Sequence, residues 1–460
     1  MKLAVIGGGG VRSPFLAKSL ASQAERLGIH ELVFMDNNQE KLALFGTLSR
    51  QIAARVNPDL VFSLTSDTVE AVTDADYVVT TIRSGGDESR VFDERTALEL
   101  GILGQETTGA GGFAMALRSI PALLSLCSQV RLHAKPTALV FNFTNPSGLV
   151  TQALRQAGFD QVYGICDAPS GFEKQLIRAL QTTEDHFRML CFGLNHLSWY
   201  RDFRLDGRDV YHEILSIPDI LDKTDLRYFD RDVVDLIGYH DLPNEYLYFY
   251  YYRNLAVDSI MHSQITRGET ILEINRRMIA ELKELDIVKD TERAFATFIR
   301  HYYERENLYF AIESGTTRQA AAHVPSLDEF VRAPDDGGYA GVAMKFIKGW
   351  QSSKPERIVL SVPNQGCLDF LEADDVVEIS CEVSAGLVRP LPAGPVDSVQ
   401  RWLIQTIKTF ERETVRAIHE RSRAAAIQAL MIHPQVNSYN LAKKLVEQYL
   451  DQYHEYVGEW

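Results

Sequence analysis

Three groups of residues in this sequence combine types and spacings that could support chemistry. A glycine-rich turn follows a short apolar run, and Asp36 closes the next apolar run. Cys166 and His196 supply a thiolate and an imidazole, which can hold a divalent metal and leave positions open for a substrate. Tyr246 opens a run of five tyrosines that ends at position 252, and a free phenol, with a pKa of about 10, stays protonated unless a nearby cation favours the phenolate.

The glycine-rich turn indicates a nucleotide site. It consists of Gly7, Gly8, Gly9, Gly10, Val11 and Arg12. Gly7 and Gly9 match the first two glycines of the dinucleotide fingerprint, which permit a tight turn and close approach to a pyrophosphate at a helix N-terminus. Asp36 could accept hydrogen bonds from both ribose hydroxyls and would repel a 2′-phosphate, so the pattern favours NAD over NADP. Two alternatives are an ordinary structural turn, and Asp36 as the N-cap of a helix that begins at Asn38.

The other two groups also have simpler interpretations. A lone cysteine such as Cys166 is commonly a small buried hydrophobe, and a lone histidine such as His196 is commonly a core group with satisfied hydrogen bonds. The five tyrosines between positions 246 and 252 could be a helix that packs its aromatic side chains. Residue types and spacing alone leave these alternatives open.

The elements that must position these residues follow from the apolar pattern. Strands are predicted at residues 2–6, 31–35, 76–82, 138–143, 162–165 and 189–193, with helices at 14–26, 38–55 and 115–131. Strands that alternate with helices predict a Rossmann-type doubly wound parallel sheet in the first part of an α/β protein. After about residue 170 the alternation stops. We expect an NAD-binding domain at 1–170 and a larger, mostly helical α+β domain at 171–460 that binds substrate and metal.

Composition narrows the partners. With 62 acidic and 47 basic residues, the chain carries a formal net charge of -15, which would repel nucleic acid and an anionic membrane. Arginines inside a cleft could still bind a small anionic substrate. The five cysteines form no CxxC pair, which suits a reducing compartment. No apolar run reaches the roughly 18 to 20 residues that span a bilayer. We expect a cytoplasmic protein without nucleic-acid or membrane partners.

Five short blocks, in this order along the chain, resemble glycoside hydrolase family 4, a family that depends on NAD and manganese. They are Arg83-Ser-Gly-Gly86 with Arg90 and Asp93-Glu94, Gly104-Gln-Glu-Thr-Thr-Gly109 with Gly111-Gly112, Asn142-Phe-Thr-Asn-Pro146, Gly164-Ile-Cys-Asp167, and Gly193-Leu-Asn-His196. The resemblance extends from the opening turn to the C-terminal helices. It implies hydrolysis of 6-phosphorylated glucosides, with NAD and Mn²⁺ as cofactors.

The resemblance assigns roles around a metal. Cys166 and His196 match the metal ligands of the family, and Tyr246 matches its catalytic base. Asp241, five residues earlier, would lie near the metal or the base; otherwise it is a loop carboxylate in front of Pro243. Asp167 matches the leaving-group acid of α-acting members, where β-acting members tend to carry Asn.

The resemblance also assigns substrate contacts. Arg90 and Arg267 match the anchors of the 6-phosphate, a role that suits a guanidinium; as isolated arginines they would be surface residues. Asn145 matches a substrate-contacting position and could otherwise be a turn residue before Pro146. Glu106 is expected to orient the substrate or a metal-bound water.

The implied mechanism is a redox and elimination cycle. NAD⁺ takes a hydride from C3 of the sugar, the ketone acidifies C2, and Tyr246 removes the C2 proton while the metal stabilises the enediolate. The aglycone then leaves from C1, water adds, and NADH returns the hydride to C3. The block from Pro243 to Leu247 favours the β-glucoside branch, in spite of Asp167.

Three alternatives remain open at this point. The first is a 6-phospho-α-glucosidase of the same family. The second is an NAD-dependent 2-hydroxy-acid dehydrogenase of the lactate and malate type, whose architecture the predicted fold shares. The third is a nucleotide-sensing protein without turnover. The family usually assembles as dimers or tetramers, so we expect a homodimer or homotetramer.

Overall fold

The computed structural model describes residues 1–315, 323–335 and 337–460, and this part of the chain opens with six parallel strands. They are β1 (Lys2–Ile6), β2 (Glu31–Met35), β3 (Val61–Thr65), β4 (Tyr77–Thr80), β5 (Leu139–Asn142) and β6 (Val162–Gly164). Their order across the sheet is β3-β2-β1-β4-β5-β6, which is the doubly wound order of dinucleotide-binding folds. The predicted Rossmann-type sheet is confirmed. Of these six strands only β3 was not predicted; it lies at the edge of the sheet, and its residue Val61 is exposed.

A second, smaller sheet follows. Its four strands are β7 (Phe187–Leu194), β8 (Leu197–Leu205), β9 (Arg208–Asp209) and β10 (Leu242–Pro243). They pair in the order β10-β8-β7, with β9 beside β8. A turn of only two residues, 195 and 196, joins β7 to β8, because Leu194 pairs with Leu197. This hairpin places His196 at its tip.

Three late strands return to the first sheet. They are β11 (Glu356–Pro363), β12 (Val376–Ser384) and β13 (Leu387–Pro390). β11 pairs antiparallel with β6 through Ser361 and Gly164, and β12 and β13 extend the sheet to nine strands. Scattered strands were predicted in this region. Their pairing with the first sheet was not predicted, because pairing between segments so far apart in the chain leaves no local sequence pattern. The division into segments 1–170 and 171–460 stays a prediction.

Helices cover the main sheet and build most of the second half. Those of the first part are α1 (Ser13–Ala24), α2 (Gln39–Lys41), α3 (Thr47–Val56), α4 (Thr68–Val72), α5 (Gly86–Leu98), α6 (Gly109–His133), α7 (Ser147–Gln156) and α8 (Ala168–Ala179). Those of the second part are α9 (Tyr211–Ser216), α10 (Ile220–Lys223), α11 (Arg231–Leu236), α12 (Tyr248–Tyr251), α13 (Arg253–Ser263), α14 (Arg267–Lys283), α15 (Thr291–Asn307), α16 (Ala311–Ser314), α17 (Leu327–Arg332), α18 (Gly338–Gln351), α19 (Ser398–Glu420), α20 (Arg423–Ile432), α21 (Tyr439–Gln452) and α22 (His454–Val457).

The core lies on both faces of the main sheet. Along β1, Leu3 and Val5 point into one apolar cluster, and Ala4 and Ile6 point into another. Such burial on both faces is typical of parallel sheets. Among the described residues, α6 is long and apolar enough to cross a bilayer, contrary to the sequence-based expectation, but 78% of its most apolar window is buried inside the protein. Because most of this window is buried, α6 is a helix of the protein core.

A buried ion pair fastens the C-terminal helices to this core. Asp93 of α5 and Arg118 of α6 are each 2% exposed, and Nη2 of Arg118 lies 2.6 Å from Oδ2 of Asp93. The hydroxyl of Tyr453, between α21 and α22, donates to Oδ1 of Asp93 at 2.5 Å, and the Arg118 guanidinium lies 4.0 Å from the centre of the Tyr453 ring. One carboxylate therefore holds three helical segments together.

Asp93→Asn should destabilise the protein more than Tyr453→Phe. The first change leaves a buried guanidinium without its counter-charge, which costs about 3 to 5 kcal/mol. The second removes one hydrogen bond, which costs about 1 kcal/mol. The midpoints of thermal unfolding of the two variants and the wild type give the ranking. Equal midpoints for Asp93→Asn and the wild type would mean that this pair does not hold the helices in place.

Candidate active site

The predicted site residues gather at one edge of the main sheet. The glycine turn follows β1, Arg83 follows β4, Asn145 follows β5 and Cys166 follows β6. Because these strands are parallel and adjacent, their carboxyl ends meet at the same edge, where doubly wound folds bind ligands.

The glycine turn has little room for side chains. Gly7 adopts a φ of +101°, and a Cβ there would lie 2.6 Å from the carbonyl oxygen of Thr81. A Cβ at Gly9 would lie 2.9 Å from the carboxyl carbon of Asp36. Gly10 closes the turn by donating its N–H to the Gly7 carbonyl at 3.0 Å. A backbone cradle without side chains is what a pyrophosphate requires for close approach.

Asp36 faces this cradle. Its Oδ2 accepts the Gly9 N–H at 3.0 Å, and its Oδ1 accepts the Asn38 N–H at 2.9 Å. Asn38 itself caps α2 by accepting from the N–H of Lys41, so Asp36 is not the cap. Each carboxylate oxygen retains a lone pair that a ribose hydroxyl could use. These residues fit a nicotinamide dinucleotide.

The start of α1 completes the cradle. No side-chain cap is described at Arg12, and in the first turn Ser13 already donates its N–H to the Gly10 carbonyl at 3.0 Å, while Pro14 has no N–H to donate. Burial lowers the pKa of Arg12, but interactions with Tyr302, Glu306 and Asp167 outweigh it and raise the pKa above its ordinary value. Val11 packs against an apolar cluster to which residues of α3 and α15 contribute.

Cys166 and His196 meet although they come from different sheets. The Cys166 Sγ lies 3.6 Å from the His196 Nε2. That separation fits two ligands of one ion with bonds of roughly 2.0 to 2.3 Å, the lengths known for zinc. No cluster of three or more His, Cys, Asp or Glu side chains with metal-binding geometry occurs within the described residues. A metal held by this pair would take its other ligands from water and substrate.

The hairpin tip that carries His196 is anchored on both sides. His196 has a φ of +62°, in the left-handed region that few residues other than glycine adopt. Glu378 of β12 accepts hydrogen bonds from Asn195 and from Ser198, each at 2.9 Å. The late strands of the main sheet therefore fix the position of the imidazole.

Hydrogen bonds also fix which nitrogen of His196 carries its proton. The Gln105 Oε1 accepts the N–H groups of Thr107 and Thr108 and, at 2.9 Å, the Thr107 hydroxyl proton. The Thr107 oxygen can then only accept from the His196 Nδ1, which is 3.1 Å away. The Nε2 lone pair therefore faces Cys166, as a metal ligand requires. Burial lowers the pKa of His196 to about 4, so the ring is neutral at pH 7.

Tyr246 stacks directly on this imidazole. The two ring centroids are 3.7 Å apart and the planes differ by 5°. Burial and the nearby Glu245 raise the pKa of Tyr246 well above its ordinary value, while a hydrogen bond from Tyr309 lowers it. Tyr246 lies in a short 3-10 turn, Glu245–Leu247, before α12. Of the later tyrosines, Tyr248 and Tyr252 stack on each other with ring centroids 5.2 Å apart, as the aromatic-helix interpretation expects. The Tyr250 hydroxyl instead shares a 2.7 Å hydrogen bond with the Thr108 hydroxyl, and Tyr250 lines one cavity with His196.

Three further predicted residues differ in their surroundings. Asp167 adjoins Cys166, and its charge contributes to the raised pKa of that thiol, whose largest cause is burial. Asn145 is half-buried and precedes a cis peptide bond to Pro146. Asp241 is fully buried and accepts hydrogen bonds from Arg201 and Gln400, which ties β10 to α19 rather than to the metal pair. This contact supports a positioning role; a catalytic role for Asp241 stays a prediction.

Glu106 lies between two arginines. Its Oε2 is 2.5 Å from the Arg83 Nη1 and 3.2 Å from the Arg90 Nη1. Burial raises the pKa of Glu106, but the two guanidinium groups outweigh it and hold the pKa far below its ordinary value. Arg90 also donates to Glu94 at 2.7 Å, so two carboxylates already hold this predicted anchor.

Arg267 has spare capacity for an anion. Its Nη2 donates to the Arg305 carbonyl at 2.8 Å, but its Nη1 is buried and has no hydrogen-bond partner among the described residues. The same holds for the Arg305 Nε. Burial, followed by repulsion from Arg12, lowers the pKa of Arg305 to about 10. Two buried N–H donors without acceptors are what a phosphate or carboxylate would satisfy.

Tyr309 joins the anion site to the metal pair. The Arg267 guanidinium lies 5.9 Å from the Tyr309 ring, and the Tyr309 hydroxyl lies 2.9 Å from the Tyr246 oxygen. The predicted residues Arg267, Tyr246, His196 and Cys166 thus form one continuous chain of contacts, with Tyr309 as the link.

Several residues of this site were missed from the sequence. Gln105 and Thr107 lie inside the motif block from Gly104 to Gly109, and this position could have identified them as site residues. Arg305, Tyr309 and Glu378 lie in segments with no recognisable motif, and only the fold brings them to the site.

Comparison with known proteins identifies the family. Residues 2–182 match the profile of Family 4 glycosyl hydrolase, and residues 191–436 match that of the Family 4 glycosyl hydrolase C-terminal domain. The 6-phospho-beta-glucosidase BglT of Thermotoga maritima is 29% identical over 461 residues, which cover 99% of each chain. A probable 6-phospho-beta-glucosidase of Bacillus subtilis is 27% identical over 469 residues, covering 100% of this chain and 98% of the relative.

A solved structure agrees over the whole length. The 6-phospho-beta glucosidase of Thermotoga maritima with manganese, NAD⁺ and glucose-6-phosphate superimposes with a TM-score of 0.80 at 27% identity and covers 100% of both chains. The two profiles together span most of the sequence. The chain therefore belongs to family 4 of the glycosyl hydrolases.

Proposed function

We propose that this enzyme hydrolyses 6-phosphorylated glucosides, with a preference for the β-anomer, by C3 oxidation, C2 deprotonation, elimination of the aglycone, water addition and C3 reduction. The observation that carries the proposal is the contact chain from Cys166 through His196, Tyr246 and Tyr309 to Arg267. It supports a metal-binding pair, a base and an anion-binding arginine that act together at the edge of the sheet where the glycine turn lies. A sugar phosphate needs these three features for such a route, which family 4 uses in place of two carboxylates.

The comparisons support the cofactors and the substrate class. The solved relative from Thermotoga maritima contains manganese, NAD⁺ and glucose-6-phosphate. The glycine cradle with Asp36 fits the same dinucleotide, and the thiol and imidazole pair fits the same ion. We therefore assign NAD and Mn²⁺ to this enzyme, and a small phosphorylated sugar as its substrate.

In this proposal each group of the chain has a distinct task. When bound, NAD⁺ would accept a hydride from C3 and Mn²⁺ would act as a Lewis acid toward sugar oxygens. Cys166 and His196 would hold the ion, and Thr107 keeps the imidazole in the tautomer that can do so. Tyr246 removes the proton from C2.

The remaining tasks concern the ends of the substrate. The Arg267 and Arg305 donors bind the 6-phosphate, while Arg90, fixed by Glu94 and Glu106, supplies positive charge beside them. Asn145 and Glu106 orient the sugar hydroxyls. Asp167 is placed at the metal pair to assist the leaving group.

Three further statements belong to the proposal. The β-preference rests on the two relatives named 6-phospho-beta-glucosidases, and Asp167 keeps the α-anomer as the alternative. We propose a cytoplasmic location and a homodimer or homotetramer. We also propose that residues 1–170 bind NAD and that residues 171–460 supply most of the substrate site, although β11 to β13 share the first sheet.

The direct test is release of p-nitrophenol from p-nitrophenyl glucoside 6-phosphate, with each anomer assayed separately. We expect release that requires both NAD⁺ and Mn²⁺ and leaves the absorbance of NADH unchanged, because the hydride returns to C3 in every turnover. Lactate- or malate-dependent accumulation of NADH without p-nitrophenol release would identify a dehydrogenase instead.

Thr107→Val should weaken Mn²⁺ binding by about 10- to 100-fold, the usual effect of removing a partner of a metal ligand. Valine has the same shape but cannot accept the His196 Nδ1 proton. Thr107→Ser is the matched control and should bind Mn²⁺ like the wild type. Titration of Mn²⁺ by electron paramagnetic resonance, with NAD⁺ affinity measured in parallel, gives the answer. Equal affinities for the valine and serine variants would remove Thr107 from this role.

Arg267→Ala should lower kcat/KM for phosphorylated substrates by about 10- to 150-fold, the equivalent of about 1.5 to 3 kcal/mol for a charged hydrogen bond. The corresponding unphosphorylated glucoside should be affected far less. Arg276→Ala, on the same helix but exposed, serves as the control. Equal losses on both substrates would show that Arg267 has a structural role only.

A further inference from the structure

Two helices that pack against each other carry two of the arginines proposed to serve the 6-phosphate. Arg90 is on α5, which follows β4 of the main sheet, and Arg267 is the first residue of α14. Further along the two helices, the Asn275 Nδ2 donates to the Asp87 Oδ2 at 2.7 Å. The two arginines thus come from distant parts of the chain, and their separation depends on how α5 and α14 are held together.

The carboxylate of Glu94 lies where the two helices meet. Glu94 is 1% exposed. Its Oε1 accepts from the Arg90 Nε at 2.7 Å, and its Oε2 accepts the Gly268 N–H at 2.7 Å. That N–H belongs to the peptide unit that joins Arg267 to Gly268. One carboxylate therefore holds the side chain of one arginine and the backbone beside the other.

This contact requires a glycine at position 268. A Cβ there would lie 2.8 Å from the Glu94 Oε2 and 3.2 Å from the Arg90 Cγ. Gly268 lies in the first turn of α14, and glycine is an unfavourable residue inside a helix. The close approach of α5 explains its presence, because a larger residue would push Glu94 away from α14.

The two guanidinium groups repel each other in a buried site. Arg90 and Arg267 are each 7% exposed. Burial lowers the pKa of Arg267, and the positive charge of Arg90 lowers it further. A carboxylate that bonds both segments offsets this repulsion before any anion binds. Binding is then tighter, because the donors need not be brought together at the moment of binding.

We propose that Glu94 is a positioning residue that fixes the separation of Arg90 and Arg267 and so prepares the anion site for a phosphate. This inference rests on the proposed function and deepens it. A phosphate monoester has three terminal oxygens and can accept from two guanidinium groups at once. Glu94 need not touch the phosphate, since it acts through the two arginines.

The test is the dissociation constant of glucose 6-phosphate, measured by isothermal titration calorimetry on the full-length enzyme with NAD⁺ and Mn²⁺. Glu94→Gln keeps the size of the side chain, but its amide group would face either the Arg90 Nε or the Gly268 N–H, which are both donors. The dissociation constant should rise by about 10- to 100-fold, because a charged hydrogen bond to the phosphate is misplaced. The dissociation constant of NAD⁺, titrated separately, should stay at the wild-type value.

Gly268→Ala disturbs the same contact from the other helix. Alanine has the higher helix propensity, so by that effect alone it would stabilise α14. Its Cβ would nevertheless displace Glu94, and glucose 6-phosphate should bind more weakly, as in Glu94→Gln. If Glu94→Gln does not fold, Gly268→Ala decides.

Arg95→Gln is the matched control. The Arg95 Nε donates to the Glu269 Oε1 at 2.8 Å, so this change also removes a bond between α5 and α14, but Arg95 bonds neither Arg90 nor Arg267. Glucose 6-phosphate should bind to Arg95→Gln as to the wild type.

A double variant separates positioning from a general loss of structure. If Glu94 acts through the arginines, Glu94→Gln should weaken binding much less in an Arg267→Ala background than in the wild type, because one of the two positioned groups is already absent. A general loss of structure would weaken binding by the same factor in both backgrounds.

The outcomes distinguish this inference from the proposed function. Wild-type affinity in Glu94→Gln and Gly268→Ala, an equal loss in Arg95→Gln, or equal factors in the two backgrounds would overturn the positioning role and leave the proposed function intact. A wild-type enzyme that binds NAD⁺ and Mn²⁺ but not glucose 6-phosphate would overturn the proposed function and this inference with it.

Discussion

The site depends on one geometric constraint: a thiol at the end of a parallel strand and an imidazole at the tip of a hairpin must face each other across 3.6 Å. Neither residue could meet this constraint within its own sheet. The carboxylate of Glu378, on a strand added late to the main sheet, holds the hairpin tip on both sides of His196. The Gln105 and Thr107 pair then orients the ring, so that its lone pair rather than its proton faces the sulfur.

Buried arginines determine the local electrostatic potential near Cys166 and His196. The chain as a whole carries a net charge of -15, yet the groups near the anion site include several buried or half-buried arginines. Acidic partners hold some of them, as Glu106 holds Arg83 and Arg90, whereas the Arg267 Nη1 and the Arg305 Nε have no acceptor in the part of the chain that the structure describes. A local potential opposite in sign to the net charge of the chain can favour a small anionic ligand in such a pocket.

The sequence predicted those features that leave a local pattern. The alternation of strands and helices gave the doubly wound sheet, and the short motif blocks gave the family and the metal, base and anchor candidates. The contribution of β12 could not be predicted, because strand pairing across the chain depends on tertiary contacts. The sequence did not predict Arg305, Tyr309 or Glu378 as site residues. They lie on helices and strands without a motif, and only the folded structure brings them to the site. Asp241 was predicted from its position in a motif, but the motif did not predict its hydrogen-bond partners Arg201 and Gln400.

The location of the metal decides whether Cys166 and His196 have the role proposed for them. Diffraction from crystals grown with NAD⁺, Mn²⁺ and glucose 6-phosphate, recorded at the manganese absorption edge, measures that location directly. We predict one anomalous peak within bonding distance of both the Cys166 Sγ and the His196 Nε2, with sugar oxygens on its open side. A well-occupied peak elsewhere, with these two side chains bonded only to each other, would contradict the account.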